Sequence, residues 1–178
     1  MHPRKKAMLW INVIGGIAVL GSYAYGLLSR PGGSDPLWGG VSSCVRPLYT
    51  VGMVLAALGY FAFTYFLLWR LDPVQARVGR HLGFKVFNWL YVGILLPSAF
   101  WMPLTWAMVE QPGPVFWYGI RAVLALVALA SLALVFALLS VTPTRPKWAQ
   151  RLAVVGSVIF FIHTGVLDAL LWPALFLG

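Results

Sequence analysis

Five apolar stretches, each long enough to cross a bilayer, occupy nearly all of this 178-residue chain. A hydrocarbon core about 30 Å thick requires roughly 20 apolar residues per helix. The expected fold is therefore all-α: a polytopic integral membrane bundle of five transmembrane helices, forming a single domain over residues 1–178. The helices are expected at about residues 7–28, 47–69, 84–109, 115–140 and 151–175. With 61% hydrophobic and 10% charged residues, the chain lacks the charge needed to coat a water-soluble domain of this size.

Proline and glycine mark the connections. Ser29–Gly40 is rich in both, which excludes regular structure through most of it. Pro47 suits a first helical turn, Pro112-Gly113-Pro114 makes a tight turn, and Pro143 and Pro146 break the last connection. Arg4-Lys5-Lys6 and the apolar run after them resemble a secretory signal ending near Ala24. The run continues to Leu28, so the first segment is expected to be retained as a helix.

Basic residues set the orientation. Arg4, Lys5, Lys6, Arg70, Arg77, Arg80, Lys85, Arg145, Lys147 and Arg151 fall at the N-terminus and in the second and fourth connections, which share one side. Only Arg30 and Arg46 fall on the other side. Positive residues collect in the cytoplasm, which predicts a cytoplasmic N-terminus and an outward C-terminus. A bacterial cytoplasmic membrane is the expected location. The net charge of +9 is thereby accounted for by topology and anionic headgroups, and no nucleic acid is expected as a partner.

Tryptophan follows the same map. Trp10, Trp69, Trp89 and Trp148 fall at one boundary, and Trp38, Trp106, Trp117 and Trp172 at or near the other, where indole prefers to sit. Trp101 is the exception, deep in the third segment between Pro97 and Pro103. Gly52 with Ala56, and Ala133 with Ala137, have the small-xxx-small spacing that lets helices approach closely.

Few polar groups interrupt the spans. Arg121 and Asp168 lie at matching depth, each about 10 Å inside the outer boundary at 1.5 Å per residue. An ionised side chain there costs about 2.5–3.5 kcal/mol, so the two are expected to pair between the fourth and fifth helices. Glu110 is an alternative partner for Arg121. His163, five residues before Asp168, reads as a neutral core histidine, since a second axial ligand at its depth is missing. Ser98, His163 and Asp168 contain the ingredients of a hydrolytic triad without a nucleophile-elbow motif. The single cysteine, Cys44, excludes an internal disulfide, and the three histidines have no metal-ligand spacing. Neither a P-loop nor G-x-G-x-x-G occurs, and no cofactor is signalled.

Tyr23-Ala-Tyr25-Gly-Leu-Leu-Ser-Arg30-Pro31 followed by Pro36-Leu-Trp38 is similar in layout to the W-Y-x-x-L-x-K-P-x-W-x-P-P segment of the tryptophan-rich sensory proteins. These are the bacterial relatives of the mitochondrial translocator protein. Pro47-Leu-Tyr49 resembles that family's P-V-W, and Val166-Leu-Asp168 is placed like its terminal L-N segment. The resemblance implies five helices and a long first loop closing a pocket for tetrapyrroles or sterol-like molecules.

The expected function is a membrane-embedded binding protein, not an enzyme, holding a small hydrophobic or aromatic ligand in an outward-facing pocket. Trp38 and Trp101 are the expected stacking surfaces, Arg121 the partner of an acidic ligand group, and Asp168 its counter-ion. The alternative is a structural or accessory subunit of a larger membrane complex. The bilayer is a partner in either case, with a homodimer or other membrane subunits as further ones. A lipid-directed enzyme and a transporter are less favoured readings.

Overall fold

The computed structural model describes residues 1–29, 33–143 and 146–176. Arg30 and Arg145, counted above for orientation, lie outside the described residues. Five helices are long and apolar enough to cross a membrane: α1 (Pro3–Leu28), α3 (Arg46–Arg70), α4 (Lys85–Glu110), α5 (Pro114–Ser140) and α6 (Lys147–Phe176). A short helix, α2 (Asp35–Trp38), precedes α3. Proline occupies the first turn of α1, α3 and α5, where its missing N–H costs nothing.

Two helices begin a full turn earlier than expected. α1 reaches back to Pro3 because His2 caps it, its Nδ1 accepting from the Arg4 N–H at 3.2 Å. α6 starts at Lys147, directly after Pro146, instead of at Arg151. The first connection is also less irregular than its Gly and Pro content implied, since Pro36 opens α2 within it.

The connections sort the helix ends into two groups. At one end Arg4 Nη1 donates to the Pro73 carbonyl at 2.8 Å. There β1 (Arg77–Val78) pairs antiparallel with both β2 (Leu82–Gly83) and β3 (Val141–Thr142), joining the second and fourth connections. This small sheet has no counterpart in the expected fold, because two-residue strands leave no readable alternation. At the other end the Gly40 N–H donates to Phe176 O at 3.2 Å, and Trp172 Nε1 to Leu37 O at 3.1 Å. The ends alternate as five consecutive crossings require.

Around the bundle, α1 packs on α4, α4 on α5, α5 on α6, and α6 on α3. α1 meets α3 closely only near its last turn, Phe66–Arg70. The ring of helices is therefore open along the seam between α1 and α3. Phe63, Phe66, Phe84, Phe87 and Tyr91 are fully buried at the end nearer the sheet. Ile17, Leu126, Leu129 and Leu170 lie exposed around the perimeter, the distribution a chain surrounded by acyl tails needs.

Glycine sets the α3–α6 contact. Gly59 and Gly156 touch backbone to backbone, so a methyl on either would overlap the other. Gly52 lets α3 approach the His163 ring, and Ala56 is buried on the same face. In α5, by contrast, Ala137 is buried while Ala133 is exposed, so those two do not share an interface.

Trp10, Trp69, Trp89 and Trp148 are more than half exposed, in keeping with a headgroup-level belt. Trp106 and Trp172 do not belong to such a belt: they are 6% and 4% exposed, packed inside the bundle. Sequence position gives their height along the helix but not which way the indole turns.

Candidate functional site

The open seam is a cleft of about 670 Å³. One wall is a helical stripe on α1 that runs from Leu9 through Val13 and Gly16 to Tyr23. The facing wall is α3 from Met53 to Trp69. α4, α5 and α6 form the floor, through Pro97, Ser98 and Trp101, through Leu124 and Val127, and through Phe160, His163 and Asp168. The lining is overwhelmingly apolar, with a few convergent polar groups, which is the composition of a small-molecule site.

Those polar groups are distributed unevenly. Toward the sheet end, Tyr60 Oη donates to Asn12 Oδ1 at 2.6 Å and ties α3 to α1 across the cleft. Thr64 is committed to Tyr91, 2.7 Å away, and Thr164 to Ser131, 2.9 Å away. His163 and Asp168 lie toward the other end, with Nε2 3.5 Å from Oδ2. Their encounter depends on backbone winding. In an α-helix, residues five apart point about 140° away from each other. Over Ile162–Leu171, however, α6 is π-helical, and an i→i+5 ladder stacks such residues one turn apart on a single face. Stretches of π-helix occur frequently at functional sites.

Two neighbours support this segment. Tyr49 Oη donates to Leu167 O at 3.2 Å, and the Phe161 ring lies against Gly165, where a Cβ would intrude. His163 is 7% exposed, and its Nδ1, which faces Gly52, has no hydrogen-bond partner among the described residues. Ser98 also lines the cleft, but its hydroxyl donates to Ile94 O at 2.7 Å. The three members of a hydrolytic triad thus share one cavity without a Ser–His hydrogen bond.

The expected ion pair between Arg121 and Asp168 does not form. Arg121 is exposed and, among the described residues, has no ion-pair partner. It follows Ile120, which is fully buried, and one residue of helix turns it about 100° away. Matched depth fixes height and leaves rotation open. The π-helical winding then turns Asp168 inward, so the cleft contains a carboxylate but not the guanidinium expected beside it.

Of the two expected stacking surfaces, Trp101 lines the cleft and Trp38 does not. Trp101 stands between Tyr23, at 5.6 Å, and Trp172, at 5.8 Å, and its buried Nε1 has no hydrogen-bond partner among the described residues. Trp38 packs edge-on against Tyr49 at 5.7 Å, under the Arg46 guanidinium at 5.5 Å. Arg46 also pairs with Asp35 at 2.7 Å, which holds α2 against the start of α3. Leu37, brought inward by α2, packs with Tyr23, Trp101, Met102 and Trp106. That layer lies between the cleft and α2, while the α1–α3 seam flanks the cleft along its length.

Tyr60, Asn12 and the π-helical winding went unrecognised in the sequence, and Tyr23 was noted there only within the family resemblance. The stripe Leu9, Val13, Gly16, Leu20 was visible there, but apolar on all sides in a helix that is apolar all round. Among the described residues, no three His, Cys, Asp or Glu side chains gather as a metal site would require. No protein-family model matches the chain, and comparison with curated proteins and with solved structures returns no match.

Proposed function

We propose that this chain is a membrane-embedded binding protein for a small apolar or aromatic molecule, held in the cleft between α1 and α3. The single observation that carries the reading is Asp168, a carboxylate at the floor of an apolar cavity with His163 as its near neighbour and, among the described residues, no Lys or Arg beside it. A group of that kind selects a ligand with a complementary cation or hydrogen-bond donor, because burying the carboxylate unpaired is costly. The acidic ligand expected from Arg121 is replaced by its opposite. Trp101 supplies the aromatic face, and its Nε1–H, without a hydrogen-bond partner among the described residues, offers the ligand a donor where Asp168 offers an acceptor.

The basic end of the bundle is assigned to the cytoplasm by its excess of Lys and Arg, with α2 and the C-terminus outside, in a bacterial cytoplasmic membrane. Tetrapyrroles and sterol-like molecules, implied by the family resemblance, are the natural first probes. Each should be tried beside an amphiphilic aromatic amine and its neutral isostere.

Tryptophan quenching in detergent tests the reading. Asp168→Asn should weaken the amine by about tenfold or more, the scale of a charge-assisted hydrogen bond, and leave the neutral isostere within about twofold. Trp101→Ala should weaken both. Unchanged affinities in both variants would remove the cleft from the account.

A second reading, an accessory subunit, draws on α1. The most apolar stretch of α1 is 6% buried, against 28–39% for the other four spanning helices. Native mass spectrometry after gentle solubilisation separates the readings: foreign subunits retained in stoichiometric amounts favour it, and a bare monomer or homodimer disfavours it.

A further inference from the structure

A second cavity, of about 540 Å³, lies at the basic end between α1 and α4, on the opposite side of α1 from the seam. We propose that it is a seat for an anionic glycerophospholipid. The inference rests on the chain spanning a membrane and is independent of any ligand in the α1–α3 cleft.

The two helices run parallel, because both start at this end. Arg4 and Lys85 occupy their first turns and stand at the same level at the mouth of the groove. Below them the groove is lined by Ala7 and Ile11 on α1 and by Trp89 and Val92 on α4. Seven residues separate Arg4 from Ile11 and Lys85 from Val92, a depth of about 10 Å at 1.5 Å per residue. A cationic mouth over an apolar floor matches a phosphodiester joined to the first part of an acyl chain. Both helix N-termini add positive dipole ends at the same place.

The mouth is braced. Arg4 Nη1 donates to Pro73 O at 2.8 Å, which fixes the side chain and leaves its other N–H groups for an anion. Asn88 Nδ2 donates to the Arg4 carbonyl at 3.3 Å and ties the two helices below the mouth. Trp89 is 74% exposed on the rim, the position of an indole at headgroup depth. Basic pockets between transmembrane helices on the cytoplasmic side bind anionic headgroups through the same combination.

Native mass spectrometry of the full chain, exchanged into mixed micelles of phosphatidylglycerol and phosphatidylcholine, tests the site. The wild type should retain phosphatidylglycerol in preference by about thirtyfold, the scale set by two interfacial cations. The double variant Arg4→Gln, Lys85→Gln should bring that preference close to one. Lys6→Gln with Arg80→Gln removes two exposed charges at the same end but outside the groove, and should leave the preference within about twofold of wild type. Equal loss in the two double variants would overturn the site in favour of diffuse surface charge. Ala7→Phe, which fills the groove and retains both cations, should displace the lipid, and retention by that variant would also overturn it. Excess inorganic phosphate should not compete; full competition would show that the mouth takes a free anion and that the groove takes no acyl chain. A thermal melt of each variant checks that it is folded.

Discussion

Gly59 and Gly156 lie against each other where α3 crosses α6, with the Gly59 carbonyl oxygen 2.8 Å from the point a Gly156 Cβ would occupy. Both partners are backbone, so neither can rotate aside. This crossing holds α3 against α6 while its other face lines the cleft. Gly59→Ala or Gly156→Ala should cost about 1–3 kcal/mol, the range for overpacking a tight contact, and lower the Tm in detergent. Gly21→Ala is the control. A Cβ there meets nothing within 4 Å, and the exchange should stabilise α1 by about 0.5–1 kcal/mol. A Tm unchanged in all three variants would contradict the packing.

Arg121 and Asp168 should behave as independent sites. Arg121→Gln is expected to leave the Tm within about 0.5 kcal/mol of wild type, as exposed substitutions do. In the double variant with Asp168→Asn, the two effects should add within about 0.5 kcal/mol. Partial rescue in that cycle would restore the ion pair the geometry denies.

The Asn12–Tyr60 hydrogen bond is the polar tie across the cleft. Tyr60→Phe removes the donor and leaves Asn12 Oδ1 unanswered, at a cost of about 1–3 kcal/mol. Adding Asn12→Leu should recover part of that loss, because an apolar pair needs no partner there. Either variant should also speed exchange of a fluorescent probe from the cleft, measured by stopped-flow. A slower off-rate in Tyr60→Phe would show that the tie does not restrain α1 against α3.

How much of this was legible in the chain follows from what hydropathy encodes. The five helices and the grouping of their ends were readable, because spans and connections are written in composition. Rotation about each helix axis was not. For Arg121 and for Trp172, position along the helix was readable and facing was not, because an all-apolar helix carries no stripe to orient it. Asp168 and Trp101 were identified as unusual from their depth alone, and both line the cleft. The closeness of His163 to Asp168 was hidden for a different reason: five-residue spacing reads as opposite faces under α-helical periodicity, and nothing in the composition announces a π-helical stretch.

Trp172 joins α6 to the first connection through one hydrogen bond, from Nε1 to Leu37 O. Trp172→Phe preserves an aromatic ring beside Trp101 and Phe176 and deletes that donor. The expected cost is about 1 kcal/mol. Hydrogen exchange should quicken locally, at the Gly40 and Val41 amides, which donate to Phe176 O and Trp38 O. Exchange that accelerates over the whole of α6 instead would show that the indole holds the helix and not the connection.

In a bilayer, a cleft that opens along the seam between α1 and α3 would exchange its contents with hydrocarbon and not with water. On the proposed function, the ligand's activity is then its mole fraction in the lipid phase, and a dissociation constant quoted per litre of buffer changes with the amount of lipid present. A weakly apolar molecule at a given aqueous concentration would leave the site empty, while a strongly partitioning one of no better fit would fill it. Partition thus acts as a first selection, ahead of any contact with Asp168 or Trp101, and affinities compared across compounds become meaningful only after division by their partition coefficients.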